Sequence, residues 1–180
     1  MLQNQTVAAI IVAAGASRRM GFDKLFFEMK DGTVLEKSIA AFENHPLIDE
    51  IIVVAGTNAT QILPLMGQCK KPHTLVQGGA TRAISVQNGL AATAAQLVAI
   101  HDAARPFVRQ DTITEALVAA LQCGAAAPAV PVKDTIKQAD ATGKVQNTPP
   151  RERLFAVQTP QCFVRQLYLK ALTIVQNDAV

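Results

Sequence analysis

Val7-Ala8-Ala9-Ile10-Ile11-Val12-Ala13-Ala14-Gly15-Ala16-Ser17-Arg18-Arg19-Met20, followed by Lys24, is the stretch that decides the fold. Val7–Val12 is a continuous apolar run, the pattern of a strand buried on both faces. A polar, glycine-containing loop follows it. Downstream the pattern repeats with variations. Leu25–Phe27 and the Asp31-Gly32 turn predict a short extended excursion. Thr33–Glu43 carries Val34, Leu35, Ile39 and Phe42 at helical spacing, and Thr33 with Glu36 forms a capping box. Ile51–Ala55 is a second buried strand and Asn58–Met66 a helix. Leu75–Val76 is a third strand, Ala80–Ala95 a helix, and Leu97–Ile100 a fourth strand. Asp111–Gln122 is a further helix and Ala125–Val130 a further strand.

Buried strands alternating with helices imply an α/β fold, a Rossmann-like, mostly parallel sheet with helices on both faces. In such sheets ligands bind beyond the carboxyl ends of the strands. Three motifs sit there: Gly15–Lys24, Gly78–Ser85 and His101–Arg105. Their shared position is the reason to assemble them into one site. Lys133–Arg153 is polar, contains Gly143 and Pro149-Pro150, and lacks a helical period. It reads as a β arm leaving the domain or as a surface loop.

The 180 residues are expected to make one domain. A hydrophobic fraction of 49% suffices for a core, which argues against disorder. A net charge of +3 is too small for a general nucleic-acid surface. Cys69, Cys123 and Cys162 lie far apart, so neither zinc spacing nor a disulfide framework is present. No apolar run is long enough to span a bilayer and no signal peptide is evident, so the expected location is cytoplasmic.

In the first motif, Ala13, Ala14 and Gly15 let backbone amides approach and cradle phosphate oxygens. Arg19 and Lys24 add positive charge where a transferring phosphorus builds negative charge. The loop lacks the Gly-Lys-Ser/Thr of a Walker A sequence and the glycines of a dinucleotide fingerprint. A plain strand–helix turn with solvated arginines fits the same residues. In the second motif, Gly78-Gly79-Ala80-Thr81-Arg82-Ala83-Ile84-Ser85 precedes and opens a helix, suiting an anion or a base edge, or simply a capped helix. In the third, His101-Asp102-Ala103-Ala104-Arg105-Pro106, Asp102 can orient a hydroxyl or a metal ion and Arg105 a phosphate; an ion pair closing a turn is the alternative. His101 is assigned no chemistry. Arg151 and Gln158-Thr159-Pro160-Gln161 offer further phosphate ligands.

The ordered set Ala-Ala-Gly-x-x-x-Arg-Met, Lys, Gly-Gly-x-x-Arg-x-x-Ser-Val, His-Asp-Ala-Ala-Arg-Pro, Pro-Val-Lys-Asp-Thr and Gln-Thr-Pro-Gln resembles the 2-C-methyl-D-erythritol 4-phosphate cytidylyltransferase family, from about Val7 onward. The resemblance implies transfer of a cytidylyl group from CTP to methylerythritol phosphate, with a divalent ion, normally Mg²⁺. It implies that Ala13, Ala14 and Gly15 supply loop amides, and that Arg19 and Lys24 act on the α-phosphorus. Gly79, Ala80 and Ser85 would recognise the nucleoside, and Asp102, Ala103 and Arg105 would contact the alcohol or nucleotide. Thr135, Arg151 and Thr159 would hold the substrate, Thr135 and Arg151 by reaching across a homodimer clasped by the 133–153 arm. The Arg19-to-Lys24 interval is at the short end for the family, and Ala80 replaces an acidic residue of some members.

The family continues beyond the position of Val180 with an acidic segment, a strand bearing a substrate-contacting lysine, and a helix. The expectation is that the chain as given binds CTP but turns over poorly. Equal specific activity with an extended chain would contradict it. A cytidylyltransferase for ribitol 5-phosphate and a nucleotide-binding module without turnover are the competing readings. Metal ligands are not legible, since Asp102 is the one well-placed carboxylate.

Overall fold

A computed structural model of the chain describes residues 1–15 and 23–177. In chain order the elements are β1 (Val7–Ala13), a 3₁₀ turn (Lys24–Phe26), β2 (Glu28–Met29), β3 (Gly32–Thr33), α1 (Val34–Glu43), β4 (Glu50–Ala55), α2 (Ala59–Met66), β5 (His73–Gln77), α3 (Arg82–Ala91), β6 (Leu97–Asp102) and α4 (Gln110–Cys123). There follow β7 (Ala125–Ala126), β8 (Ala129–Pro131), β9 (Gln138–Ala139), β10 (Val145–Asn147), a second 3₁₀ turn (Arg151–Arg153), β11 (Phe155–Val157), β12 (Gln161–Val164) and α5 (Arg165–Asn177).

The main sheet has six strands in the order β5-β4-β1-β6-β12-β7. The first four are parallel; β12 runs antiparallel to β6 and to β7. The apolar run at Val7 explains why β1 is central. Alternate side chains feed two cores. Val7, Ala9, Ile11 and Ala13 pack with Leu35, Ile39 and Phe42 of α1 and with residues of α2 and α4. Ala8 and Ile10 pack on the other face with Val86 and Leu90 of α3, against Tyr168, Leu169 and Leu172 of α5. Helices thus cover both faces. Phe42, Ile10 and Ile11 are wholly buried, and truncating any one to alanine costs on the order of 2–5 kcal/mol.

The chain winds outward from β1 to β4 and β5, then returns to place β6 on β1's other side. The β1–β6 boundary is therefore a switch point, where the loops after the two strands diverge and leave a crevice.

The capping box holds: Glu36 N–H donates to Thr33 Oγ1 at 3.3 Å and Thr33 N–H to Glu36 Oε2 at 2.6 Å. Several expectations need correcting. Leu25 and Phe26 are not extended, because the Asp23 carboxylate accepts from Leu25 N–H and caps a 3₁₀ turn; Phe27 is extended. The extended excursion comes one step later, as the β2–β3 hairpin. The helix expected over Ala80–Ala95 runs only Arg82–Ala91, since Thr81 caps it by accepting from Ile84 N–H. Ala125–Val130 is not one strand. β7 belongs to the main sheet, whereas β8, beyond Pro128, pairs with β11 in a separate ribbon. β12 was not foreseen. Within Lys133–Arg153, β9 and β10 form an exposed hairpin. Its turn is held by Asp140, which accepts from Thr142 N–H and Lys144 N–H, with Gly143 at φ +83°.

Candidate active site

Three strand ends meet around Ala14. A Cβ placed on Gly78, just past β5, would lie 2.4 Å from the Ala14 Cβ; one on Gly56, just past β4, would lie 2.9 Å from the Ala14 carbonyl oxygen. Both contacts are shorter than atoms tolerate, so glycine there lets three loops close on one another. Gly15 differs: a Cβ there meets nothing within 4 Å.

Asn58 ties the first loop's two ends together. Its Nδ2 donates to the Ala13 carbonyl at 3.3 Å and to Asp23 Oδ2 at 3.2 Å, and its Oδ1 accepts from Gly56 N–H. The side chain is 8% exposed and makes no helix-capping bond. Lys24 therefore leaves a neck with fixed ends. Arg19 lies outside the described residues.

The loop before α3 is equally constrained. Ser85 Oγ donates to the Thr81 carbonyl at 2.9 Å and accepts from Gly79 N–H at 3.1 Å. The Ser85 hydroxyl, expected to meet a nucleoside, is here shaping the Gly79–Thr81 turn.

At the end of β6, Asp102 stands between two arginines. Arg82 Nε donates to Asp102 Oδ1 at 3.0 Å, and Arg105 Nε to Oδ2 at 3.3 Å. Arg82 also donates to Gln161 Oε1 and Arg105 to Gln158 Oε1. These side chains are about a third to a half exposed, so each pair is worth little and yields readily to a ligand. Ala103 is fully buried, with its N–H on the Val12 carbonyl and its carbonyl taken by Ser38 Oγ at 2.7 Å. It offers a small wall, not a polar contact.

Behind Asp102, His101 is buried. Its Nε2 lies 3.0 Å from the Arg105 carbonyl and its Nδ1 2.9 Å from Thr159 Oγ1. Burial pushes the imidazole down to about 4 from its ordinary 6.5. It is neutral near pH 7.

A cleft of about 1350 Å³ joins these parts. Ala13, Ala14, Gly15 and Lys24 line it from the first motif, Gly79, Ala80 and Ser85 from the second, and Asp102, Ala103 and Arg105 from the third. The assembly expected from the strand ends is thus observed. Thr159 is absent from the lining and 8% exposed, with its hydroxyl on His101. Thr135 and Arg151 are exposed near the β9–β10 hairpin and also stand outside the cleft; Arg151 donates to the Lys133 carbonyl at 3.3 Å. Sequence reasoning gave no role to Arg82 or Asn58. Arg82 was signalled by its place in the Gly-Gly-x-x-Arg motif. Asn58 had no signal, because a buried asparagine at a helix start reads as a cap. Among the described residues no cluster of three potential metal ligands exists, and no helix is long and apolar enough to cross a membrane.

Comparison with known proteins agrees with this geometry. Residues 7–180 match the family described as IspD: 2-C-methyl-D-erythritol 4-phosphate cytidylyltransferase. A curated relative of that name from Dehalococcoides mccartyi (strain CBDB1) is 41% identical over 99% of this chain and 83% of its own length. The crystal structure of 4-diphosphocytidyl-2C-methyl-D-erythritol synthase from Anaerococcus prevotii DSM 20548 superposes with a TM-score of 0.81 at 31% identity, covering 94% of this chain and 76% of that one. The structure of the cytidylyltransferase from Thermus thermophilus gives 0.73 at 31% identity over 97% and 78%. With its strand-end cleft and its motifs in that order, the chain belongs to the 2-C-methyl-D-erythritol 4-phosphate cytidylyltransferase family.

Proposed function

We propose that this chain, as a cytidylyltransferase of that family, moves the cytidylyl group of CTP onto 2-C-methyl-D-erythritol 4-phosphate in the cleft between β1 and β6. The observation that carries this reading is the meeting of the three motifs in one space. A phosphate oxygen of the alcohol substrate attacks the α-phosphorus of CTP. The new P–O bond forms as the bond to the bridging oxygen breaks, and pyrophosphate leaves. The protein's contribution is position and charge.

Amides of Ala13, Ala14 and Gly15 take the triphosphate, and Lys24 and Arg19 stabilise charge growing at the α-phosphorus. The Gly79–Ser85 turn takes cytosine and ribose, through Gly79 and Ala80 backbone groups and with Ser85 holding the turn. Asp102 and Arg105 receive the alcohol, exchanging their mutual pair for its hydroxyls and phosphate. Thr159 supports that half from behind, and Thr135 and Arg151 serve it from a second subunit. Support for a homodimer comes from Val130, Val145, Phe155 and Val157, which stand 51–57% exposed on β8, β10 and β11. Apolar side chains left this exposed on two neighbouring ribbons are costly in water. A cytoplasmic location accords with three free cysteines.

The divalent cation, Mg²⁺ in this reading, supplies positive charge to the triphosphate. The described residues do not build a cage for it: among them Asp102 is the one carboxylate lining the cleft, and both its oxygens face arginines. Mg²⁺ commonly binds substrate phosphates and water with few protein ligands.

Initial rates with methylerythritol phosphate and with ribitol 5-phosphate test the reading. A clear preference for methylerythritol phosphate is expected; preference for ribitol phosphate overturns the substrate assignment.

A further inference from the structure

We propose that His101 is a positioning residue for the alcohol-phosphate half of the cleft, holding the Asp102–Arg105 turn through one neutral tautomer that Thr159 locks. The inference rests on the reading above for the role of Asp102 and Arg105, and on geometry for the rest.

A carbonyl oxygen can only accept. The 3.0 Å contact between His101 Nε2 and the Arg105 carbonyl therefore requires the proton on Nε2. In the neutral ring Nδ1 is then bare, and the Thr159 hydroxyl donates to it at 2.9 Å. The Thr159 oxygen also faces the Asp102 N–H across a long 3.5 Å contact. The chain of donors thus runs from the Asp102 amide to Thr159, to His101, to the Arg105 carbonyl. It closes a ring around the turn that carries both ligand-facing side chains. Arg105 N–H donates to the Asp102 carbonyl at 3.0 Å and tightens the same turn.

The surroundings keep the ring neutral and still. Phe42 of α1 packs on the imidazole with centroids 4.9 Å apart, and β1 presents Ile11 beside it in register. The charged groups that influence it are Asp102 and Arg105, from its own strand end. Burial of the ring outweighs both. Any buried imidazole needs partners for its two nitrogens; here both partners, Arg105 and Thr159, belong to the segments that flank Asp102. Thr159, expected to touch substrate, acts instead through His101, since its hydroxyl hydrogen is already given.

Two substitutions separate the bonds. An asparagine amide imitates Nδ1 and a glutamine amide imitates Nε2. His101→Asn keeps a partner for Thr159 and loses the donor to the Arg105 carbonyl; His101→Gln keeps that donor. With methylerythritol phosphate as varied substrate, His101→Asn is expected to lower kcat/KM roughly tenfold to a hundredfold, mainly through KM. CTP affinity, read by calorimetry, stays within about twofold, and His101→Gln recovers most of the loss. Equal damage by both variants, or CTP affinity falling as far as the alcohol-phosphate term, overturns the proposal.

A second measurement stands if the variants do not fold. Nitrogen-15 histidine spectra of the unmodified chain at neutral pH should show His101 protonated on Nε2 and bare on Nδ1. An imidazolium or the opposite tautomer overturns it. Failure of the unmodified chain to use methylerythritol phosphate would sink the substrate reading, and the tautomer would still decide this one.

Discussion

The nucleotide half of the cleft and its alcohol half are built by different means. At the ends of β1, β4 and β5 the structure uses small residues whose size is dictated by neighbouring backbone, as with Gly56 and Gly78 around Ala14. What faces a ligand there is largely main chain. At the end of β6 it uses polar side chains that are paired with one another before any ligand arrives: Asp102 with Arg82 and Arg105, and Arg105 with Gln158. Around Ala14 the first half is shaped by crowding. The second is held by exposed ion pairs that are individually weak and by one buried relay through His101. A triphosphate offers the same oxygens in any nucleotide, so backbone amides suffice for it. A specific alcohol has to be read by side chains, which can be rearranged.

The strongest test of this contrast is Lys24→Ala. If its charge acts on the transition state, kcat falls on the order of 10²–10³ while CTP affinity changes far less. Steady-state kinetics beside calorimetry separates the two. A variant that merely raises the KM for CTP would reduce Lys24 to a ground-state contact.

Next comes Gly78→Ala against Gly15→Ala. The first forces a methyl into Ala14 and is expected to cost about 1–3 kcal/mol of stability, with weakened CTP binding. The second meets open space and should leave the melting temperature nearly unchanged. Similar melting shifts in the two variants would mean that crowding is not what shapes this half.

A comparable effect is expected from pH. His101 is depressed in the folded chain to about 4 from 6.5. Between those values the unfolded chain binds a proton that the folded chain does not, so stability declines as pH falls through that window. Denaturant unfolding at about pH 7.5 and about pH 5 should differ by about 2 kcal/mol from this group. His45, lowered chiefly by burial, acts in the same direction. A His101→Gln variant with an unchanged pH slope would refute the assignment of that loss to His101.

The smallest effect concerns the hairpin. Arg151→Ala should raise the KM for methylerythritol phosphate severalfold and spare CTP affinity, because Arg151 stands outside the cleft of its own chain. Equal loss of both would place it in the nucleotide half.

The two halves also differ in how far they could be read from the chain alone. β1, β4 and α1 between them were legible because their burial is continuous or periodic, and Thr33 with Glu36 announced α1 outright. The cleft-lining residues of the three motifs were legible because each motif follows a strand, and strand ends converge in a parallel sheet. What escaped depends on distant partners. β12 is short, begins next to a proline, and owes its place to pairing with β6. Pro128 split the expected strand, and β8 found β11 far along the chain. Asn58 gave no local sign that it would bind Ala13 and Asp23. His101 was given no chemistry, since a buried histidine is told from a positioning one only by its partners, Arg105 and Thr159.

The central claim is that the two halves act together on one phosphorus. The most direct measurement is pyrophosphate release from CTP by this chain, with and without methylerythritol phosphate. The expected result is release that depends on the alcohol phosphate and is lost in Lys24→Ala. CTP binding with no release, whether or not the alcohol phosphate is present, would contradict it and leave a nucleotide-binding module.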